Sequence, residues 1–138
     1  MEVLKRSLEN GKIIKINFGS TLNDQSNTIT GNIELDIENQ NQFIEHVNTI
    51  LDEGVNLVII EMENISYIDS SGLWALFESH KKASQKNGKI VLLKPRKDVK
   101  RVLDITKMST KISISENESE AVTYLLEKES LRDFIWPR

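Results

Sequence analysis

Two short apolar runs with an amphipathic stretch between them constrain this chain more than any other feature. Val55 to Met62 reads Val-Asn-Leu-Val-Ile-Ile-Glu-Met, and Lys89 to Lys94 carries an Ile-Val-Leu-Leu core closed by Pro95. Branched apolar residues in such runs suit interior strands covered on both faces, where no polar alternation is needed. Between the runs, Leu73, Leu76, Phe77, His80 and Ala83 recur at helical spacing over Ser71 to Lys86, and Asn87-Gly88 turns the chain into the second run. Strand, helix, strand in that order predicts a right-handed parallel crossover.

The flanking sequence extends the same alternation. Lys12 to Phe18 alternates charged and apolar residues and is expected to be the first strand, with one solvated face. Gly19 to Asn27 is polar and turn-rich and Thr28 to Gly31 looks extended, which predicts a hairpin with a long loop. From Asn39, Phe43, Ile44, Val47, Ile50 and Leu51 form one helical stripe, with Gln42, Glu45, Asn48 and Asp52 facing away and Gly54 placed to stop the helix. Lys97 to Ile105 is expected to be a short helix with Val99, Val102 and Leu103 inward. Lys111 to Ile114 is expected to be a brief last strand. Ser115 with Glu118 has capping-box spacing, ahead of a stripe of Ala121, Val122, Leu125 and Leu126. The expected fold is a single α/β domain with a mixed central sheet of about five strands and about four helices, in the order ββαβαβαβα. Residues 1–129 form the domain, and 130–138 form an apolar tail.

Composition narrows the function. At 138 residues the chain suits one domain. Its 18 basic and 21 acidic residues give a net charge of -3, which provides no basic field for direct nucleic-acid binding. The absence of cysteine removes disulfides, thiol nucleophiles and cysteine metal sites, and fits a reducing compartment. Met1 to Gly11 is too charged for a signal peptide, and no apolar run approaches the roughly 20 residues that span a bilayer. A cytoplasmic protein without a membrane span is expected.

The chemistry concentrates at Ile65 to Leu73, Ile-Ser-Tyr-Ile-Asp-Ser-Ser-Gly-Leu, where strand character gives way to helix at the two serines. A helix start presents unpaired N–H groups and a positive dipole end, so an anion placed there is stabilised. Asp69 and Ser70 in such a corner either cap the helix or form a recognition switch, and the residue types alone leave both open. Asp69 either accepts backbone N–H bonds or meets a partner, and Gly72 admits another backbone closely.

This Asp69-Ser70-Ser71-Gly72-Leu73 corner after an apolar strand resembles the STAS domain family, most closely the bacterial anti-sigma factor antagonists. The resemblance spans Gly11 to Lys128 and is supported by Gly31 before the first helix and by Asn87-Gly88. It implies that Ser70 is phosphorylated by a cognate anti-sigma factor, a serine kinase. The unphosphorylated protein would bind that factor and release its sigma factor, phosphorylation would abolish binding, and a PP2C-like serine phosphatase would reset the switch. The implied partner-binding residues are Asp69, Ser70, Ser71 and Gly72. Trp74 departs from the family, which often has a small residue there, and it shares a helix flank with Glu78 and Lys81. An aromatic there is either a partner hot spot or packed under the first helix or the tail. The same resemblance also allows a structural subunit of a stress-sensing scaffold or of a lipid or anion transporter.

An enzyme reading finds no support in the sequence, and no cofactor is expected. His80 lies about 15 Å along the helix from Ser70, against the hydrogen-bond reach of about 3 Å that a general base needs. It falls on the apolar face, as a satisfied core histidine would, and His46 sits on another helix. Gly-x-Ser-x-Gly, P-loop and dinucleotide fingerprints are absent from the sequence. Glu61 and Glu63 alternate along a strand end without a histidine cluster, so no metal site is expected. The tail carries Leu131, Phe134, Ile135 and Trp136, and it either packs on its own domain or joins two copies into a homodimer.

Overall fold

A computed structural model of the protein describes residues 1–127. Five strands build the central sheet: β1 (Glu2–Leu8), β2 (Ile13–Gly19), β6 (Leu57–Glu61), β8 (Lys89–Leu93) and β9 (Ser113–Ser115), in that spatial order. Two short pairs stand apart from it, β3 (Thr21–Asn23) with β4 (Thr28–Thr30), and β5 (Ile33–Leu35) with β7 (Ile65–Ile68). The helices are α1 (Gln40–Asp52), α2 (Ser70–Gln85), α3 (Lys97–Ile105) and α4 (Glu118–Leu126). β1 runs antiparallel to β2, and all other neighbours in the central sheet are parallel, so the sheet is mixed and the fold is the expected α/β domain.

The two apolar runs do what their composition requires. β6 sits in the middle, with β2 and β8 as parallel neighbours, and α2 carries the crossover from β6 to β8. Val58 and Ile60 point to the face under α1, α2 and α3, while Ile59 points to the face under α4. α1 buries the expected stripe of Phe43, Ile44, Val47, Ile50 and Leu51, and the chain leaves it through Gly54 at φ +100, a conformation that favours glycine.

Several elements differ from expectation. The first strand is β1, and Lys12–Phe18 corresponds to the second. β1 reads Glu-Val-Leu-Lys-Arg-Ser-Leu, whose Lys5 and Arg6 are exposed at an edge, where charge is tolerated and blunts further pairing. Thr28–Thr30 lies outside the central sheet. It pairs with Thr21–Asn23, because Asn23 Oδ1 accepts from the Gln25 and Ser26 amides at 3.0 and 3.1 Å and tightens the expected long loop into a turn. α4 is capped by Asn117, whose Oδ1 accepts from the Glu120 amide at 2.8 Å, and not by Ser115. Ser115 is engaged in β9, with its carbonyl accepting from the Lys94 amide. Leu126, expected in the core stripe, is 40% exposed at the end of α4, while Ala121 and Leu125 are buried. The predicted tail boundary at residue 130 lies outside the described residues.

The face under α4 also holds two buried oxygens, Asn17 Oδ1 and Glu61 Oε2, with no hydrogen-bond partner among the described residues. Asn17 and Glu61 are register partners on β2 and β6. Burial raises the Glu61 pKa above its ordinary value, against the opposing charges of Lys15 and Lys94, with Glu63 and Glu118 adding to the rise. The folded state therefore holds this proton more tightly than the unfolded chain. That contribution is complete below the unfolded pKa and is lost as pH rises through the folded one.

Two outcomes follow from this packing. Urea titration of Asn117→Ala should show a loss of about 1 kcal/mol, and Ser115→Ala should stay within about 0.5 kcal/mol of the parent. Glu61→Gln should unfold at higher urea than the parent at neutral pH, and that advantage should shrink as pH is lowered through the carboxylate range.

Candidate functional site

The corner between β7 and α2 is built on backbone contacts. β7 pairs in parallel with β5, but the register shifts so that Ile33 faces Ile65 while Glu34 faces Tyr67. Ser66 is the extra residue, and its hydroxyl donates to the Ile33 carbonyl at 3.3 Å. The bulge turns both Ile65 and Ile68 inward and leaves Tyr67 52% exposed. Asp69 follows as the N-cap, with extended backbone and its Oδ1 accepting from the Gly72 amide at 3.0 Å. Its carbonyl accepts from the Leu73 amide at 2.9 Å, which closes the first helical turn.

The capping role of Asp69 is thus observed, and α2 begins at Ser70, one residue before the sequence expectation. Ser70 is exposed, Ser71 is half-buried and Gly72 is buried. A Cβ at Gly72 would stand 2.3 Å from the Leu35 carbonyl oxygen and 2.7 Å from Ile68 Cγ1, so the end of β5 occupies the space a side chain would need. The Asp69 carboxylate is committed to the cap, while the N–H groups of Ser70 and Ser71, at the first two helical positions, have no partner within the helix. The Ser70 hydroxyl therefore stands in water beside a positive helix end and one fixed negative charge.

Trp74, one turn on, is 48% exposed. The Glu78 carboxylate lies 3.9 Å from the Lys81 ammonium, a surface pair that contributes little to stability. Asp69, Ser70, Ser71, Gly72, Trp74, Glu78 and Lys81 are thus all on one corner and the helix leading from it. The sequence reading missed Tyr67 and Ile37, which are 52% and 69% exposed on β7 and just after β5. The spacing of three between Ile65 and Ile68 was the available signal, since plain strand alternation would send them to opposite faces.

The histidines take no part in the corner. α2 is continuous from Ser70 to Gln85, so His80 stands about 15 Å of helical rise away. It is half-buried, and its Nδ1 is buried with no partner among the described residues, in place of the satisfied core histidine expected. The fully buried positions of α2 are Gly72, Ala75, Leu76, Ser79 and Ala83, a stripe rotated from the expected one so that Leu73, Phe77 and His80 lie at its margin. Burial lowers the His80 pKa, and the Lys111 charge adds to it. Burial also lowers that of His46, helped by Lys5 and opposed by Glu45; its ring meets Phe18 edge-on. Among the described residues no group of histidine and carboxylate side chains could hold a metal ion. None of the described helices is long and apolar enough to cross a membrane.

Comparison with known proteins places this corner in a wider set. The STAS domain model matches residues 24–121. The TM1081 homolog of Thermotoga neapolitana, which carries the name anti-sigma factor antagonist, is 33% identical over 92 residues, covering 66% of this chain and 81% of that protein. The crystal structure of the Thermotoga maritima protein of that name superposes with a TM-score of 0.72 at 23% identity, over 89% of this chain and 93% of the other. The anti-sigma factor antagonist SpoIIAA in its unphosphorylated form superposes with a TM-score of 0.65 at 18% identity, over 95% and 96% of the two chains. SpoIIAA of Bacillus in its phosphorylated form gives 0.60 at 18% identity, over 89% and 98%.

Gly72→Ala separates helix propensity from packing. Propensity alone would favour alanine by about 1 kcal/mol in a helix interior. The contact with the Leu35 carbonyl reverses the sign, and chemical denaturation should show a net loss of about 1–3 kcal/mol.

Proposed function

The chain belongs to the STAS domain family, and on that premise we propose that it is an anti-sigma factor antagonist switched by phosphorylation at Ser70. Unphosphorylated, it binds an anti-sigma factor that is also a serine kinase and releases the sigma factor held there. Phosphorylated, it does not bind, and a PP2C-like serine phosphatase restores it. It acts in the cytoplasm as a binding protein and not as an enzyme.

The observation that carries this reading is the exposed Ser70 hydroxyl at the first position of α2, flanked by exposed Trp74 and Tyr67. A kinase can reach such a hydroxyl without opening the fold. A phosphate there adds about -1.5 to -2 charge beside the Asp69 carboxylate, in the middle of a surface whose aromatic groups suit a desolvated partner contact. Binding is then lost by desolvation cost and repulsion while the domain stays folded. The exposed Trp74, Tyr67 and Ile37 also suit a constitutive scaffold, which needs no covalent switch.

Incubation with the cognate anti-sigma kinase and ATP, followed by peptide mass spectrometry, should place the phosphate on Ser70; a protein left unmodified by every cognate kinase, yet bound constitutively, would be the scaffold instead. Titration calorimetry should show Ser70→Ala binding as the parent does and Ser70→Asp binding more than about tenfold weaker, about 1.4 kcal/mol. Equal affinities of the two variants would remove charge control from the corner.

A further inference from the structure

The two faces of the central sheet are covered unequally. One packs under α1, α2 and α3. On the other, the helical cover among the described residues is α4, which lies chiefly over β6, β8 and β9. The strand register sets out this second face in rows. The lowest row is Leu8, Ile13, Leu57 and Lys89 across β1, β2, β6 and β8, and the next is Arg6, Lys15, Ile59 and Val91. At the opposite end the β3–β4 hairpin closes over the top of β2, where Gly19 sits against the Ile29 side chain and the Thr30 carbonyl. Leu8 and Leu57 remain half-buried at the edge of the small cluster formed by Ile13, Ile59, Val91, Leu93, Ala121 and Leu125.

The chain leaves α4 at this lowest row. The Lys89 ammonium donates to the Tyr124 and Glu127 carbonyls at 3.2 and 3.0 Å and lies 4.8 Å from the Tyr124 ring centroid, which fixes the end of the helix over the start of β8. Leu126 is left 40% exposed there. Residues 128–138 follow directly, Lys-Glu-Ser-Leu-Arg-Asp-Phe-Ile-Trp-Pro-Arg. From β8 to β1 is three strand spacings, about 14 Å, well inside the reach of about 36 Å that 11 residues have when extended. The acidic Glu129 and Asp133 are of opposite charge to Arg6 on the exposed second row.

We propose that residues 128–138 fold back across the β1–β2 half of this face and lay Leu131, Phe134, Ile135 and Trp136 over Leu57 and Leu8. The occupant is the chain's own end, because the segment starts on this face, is long enough to cross it and carries the apolar side chains that its half-covered row lacks. The tail then replaces the second helix that a sheet of this width needs on each face, and it lies on the opposite side of the sheet from the α2 corner.

The chain has two tryptophans, so Trp74→Phe in the full-length protein leaves Trp136 as the sole indole. Its fluorescence should be blue-shifted and several-fold less quenched by acrylamide than free tryptophan amide. Adding Leu8→Asp should shift emission to the red with the circular dichroism spectrum unchanged. Nuclear Overhauser contacts between the Trp136 ring and the Leu8 and Leu57 methyls in the Trp74→Phe protein should arise within one chain in a mixture of labelled and unlabelled protein. The contacts decide the matter if Leu8→Asp fails to fold. Emission from a fully hydrated indole, a folded Leu8→Asp variant with unshifted emission, or contacts arising only between chains would each overturn the proposal, the last in favour of a tail-swapped dimer.

Discussion

The close approach of Gly72 to the Leu35 carbonyl is the constraint on which the corner depends. It seats the first turn of α2 directly on the end of β5, at a separation that leaves no room for a Cβ. The same short strand anchors α1. The Asp36 amide donates to Asn39 Oδ1 at 2.9 Å, and Asn39 Nδ2 donates back to the Glu34 carbonyl. Both helices on the larger face thus start from one three-residue strand, which itself rests on β7 through Ile33–Ile65 and Leu35–Ile68 pairing. A shift of β5 would move the cap of α2 and the start of α1 together, so the position of Ser70 is set by packing 35 residues away in sequence as well as by its own neighbours.

What the sequence disclosed was what hydrophobic period can encode. α1, α3, β6 and β8 have long or strongly patterned apolar sets, and their buried residues follow the expected stripes, Phe43 to Leu51 in α1 and Val99 and Leu103 in α3. β1 was illegible because an edge strand pairs on one side and tolerates Lys5 and Arg6. The cap of α4 was misplaced because Ser115 and Asn117 both fit a cap by type, and only the pairing of β9 shows that the serine carbonyl is occupied. The rotation of the α2 stripe has the same origin: close seating on Leu35 turns small residues, Gly72, Ala75 and Ser79, to the inside, and a hydrophobic pattern gives those little weight.

The corner itself was legible as a strand-to-helix turn, but its surface was not. Asp69-Ser70-Ser71-Gly72 carries its cap chemistry in the residue types, whereas the exposure of Tyr67 depends on a one-residue bulge at Ser66. A bulge reverses inside and outside for everything after it. Tyr67 consequently joins Trp74 and Ile37 at the surface, where three large apolar side chains surround a serine that a strict alternation would leave without aromatic company on the strand side.

The proposed switch draws on a division of labour among the first three helical amides. Asp69 already satisfies the Gly72 amide, the third of the helix, so a phosphate on Ser70 would find the first two N–H groups and the dipole, but not the whole helix start. Those groups offset part of the added charge, which keeps the modified domain folded. They do not neutralise it, because the capping carboxylate stays fixed alongside. A corner with no cap would absorb a phosphate more completely and change its surface less. By holding one negative charge in place, Asp69 makes the second one felt by a partner and not by the fold.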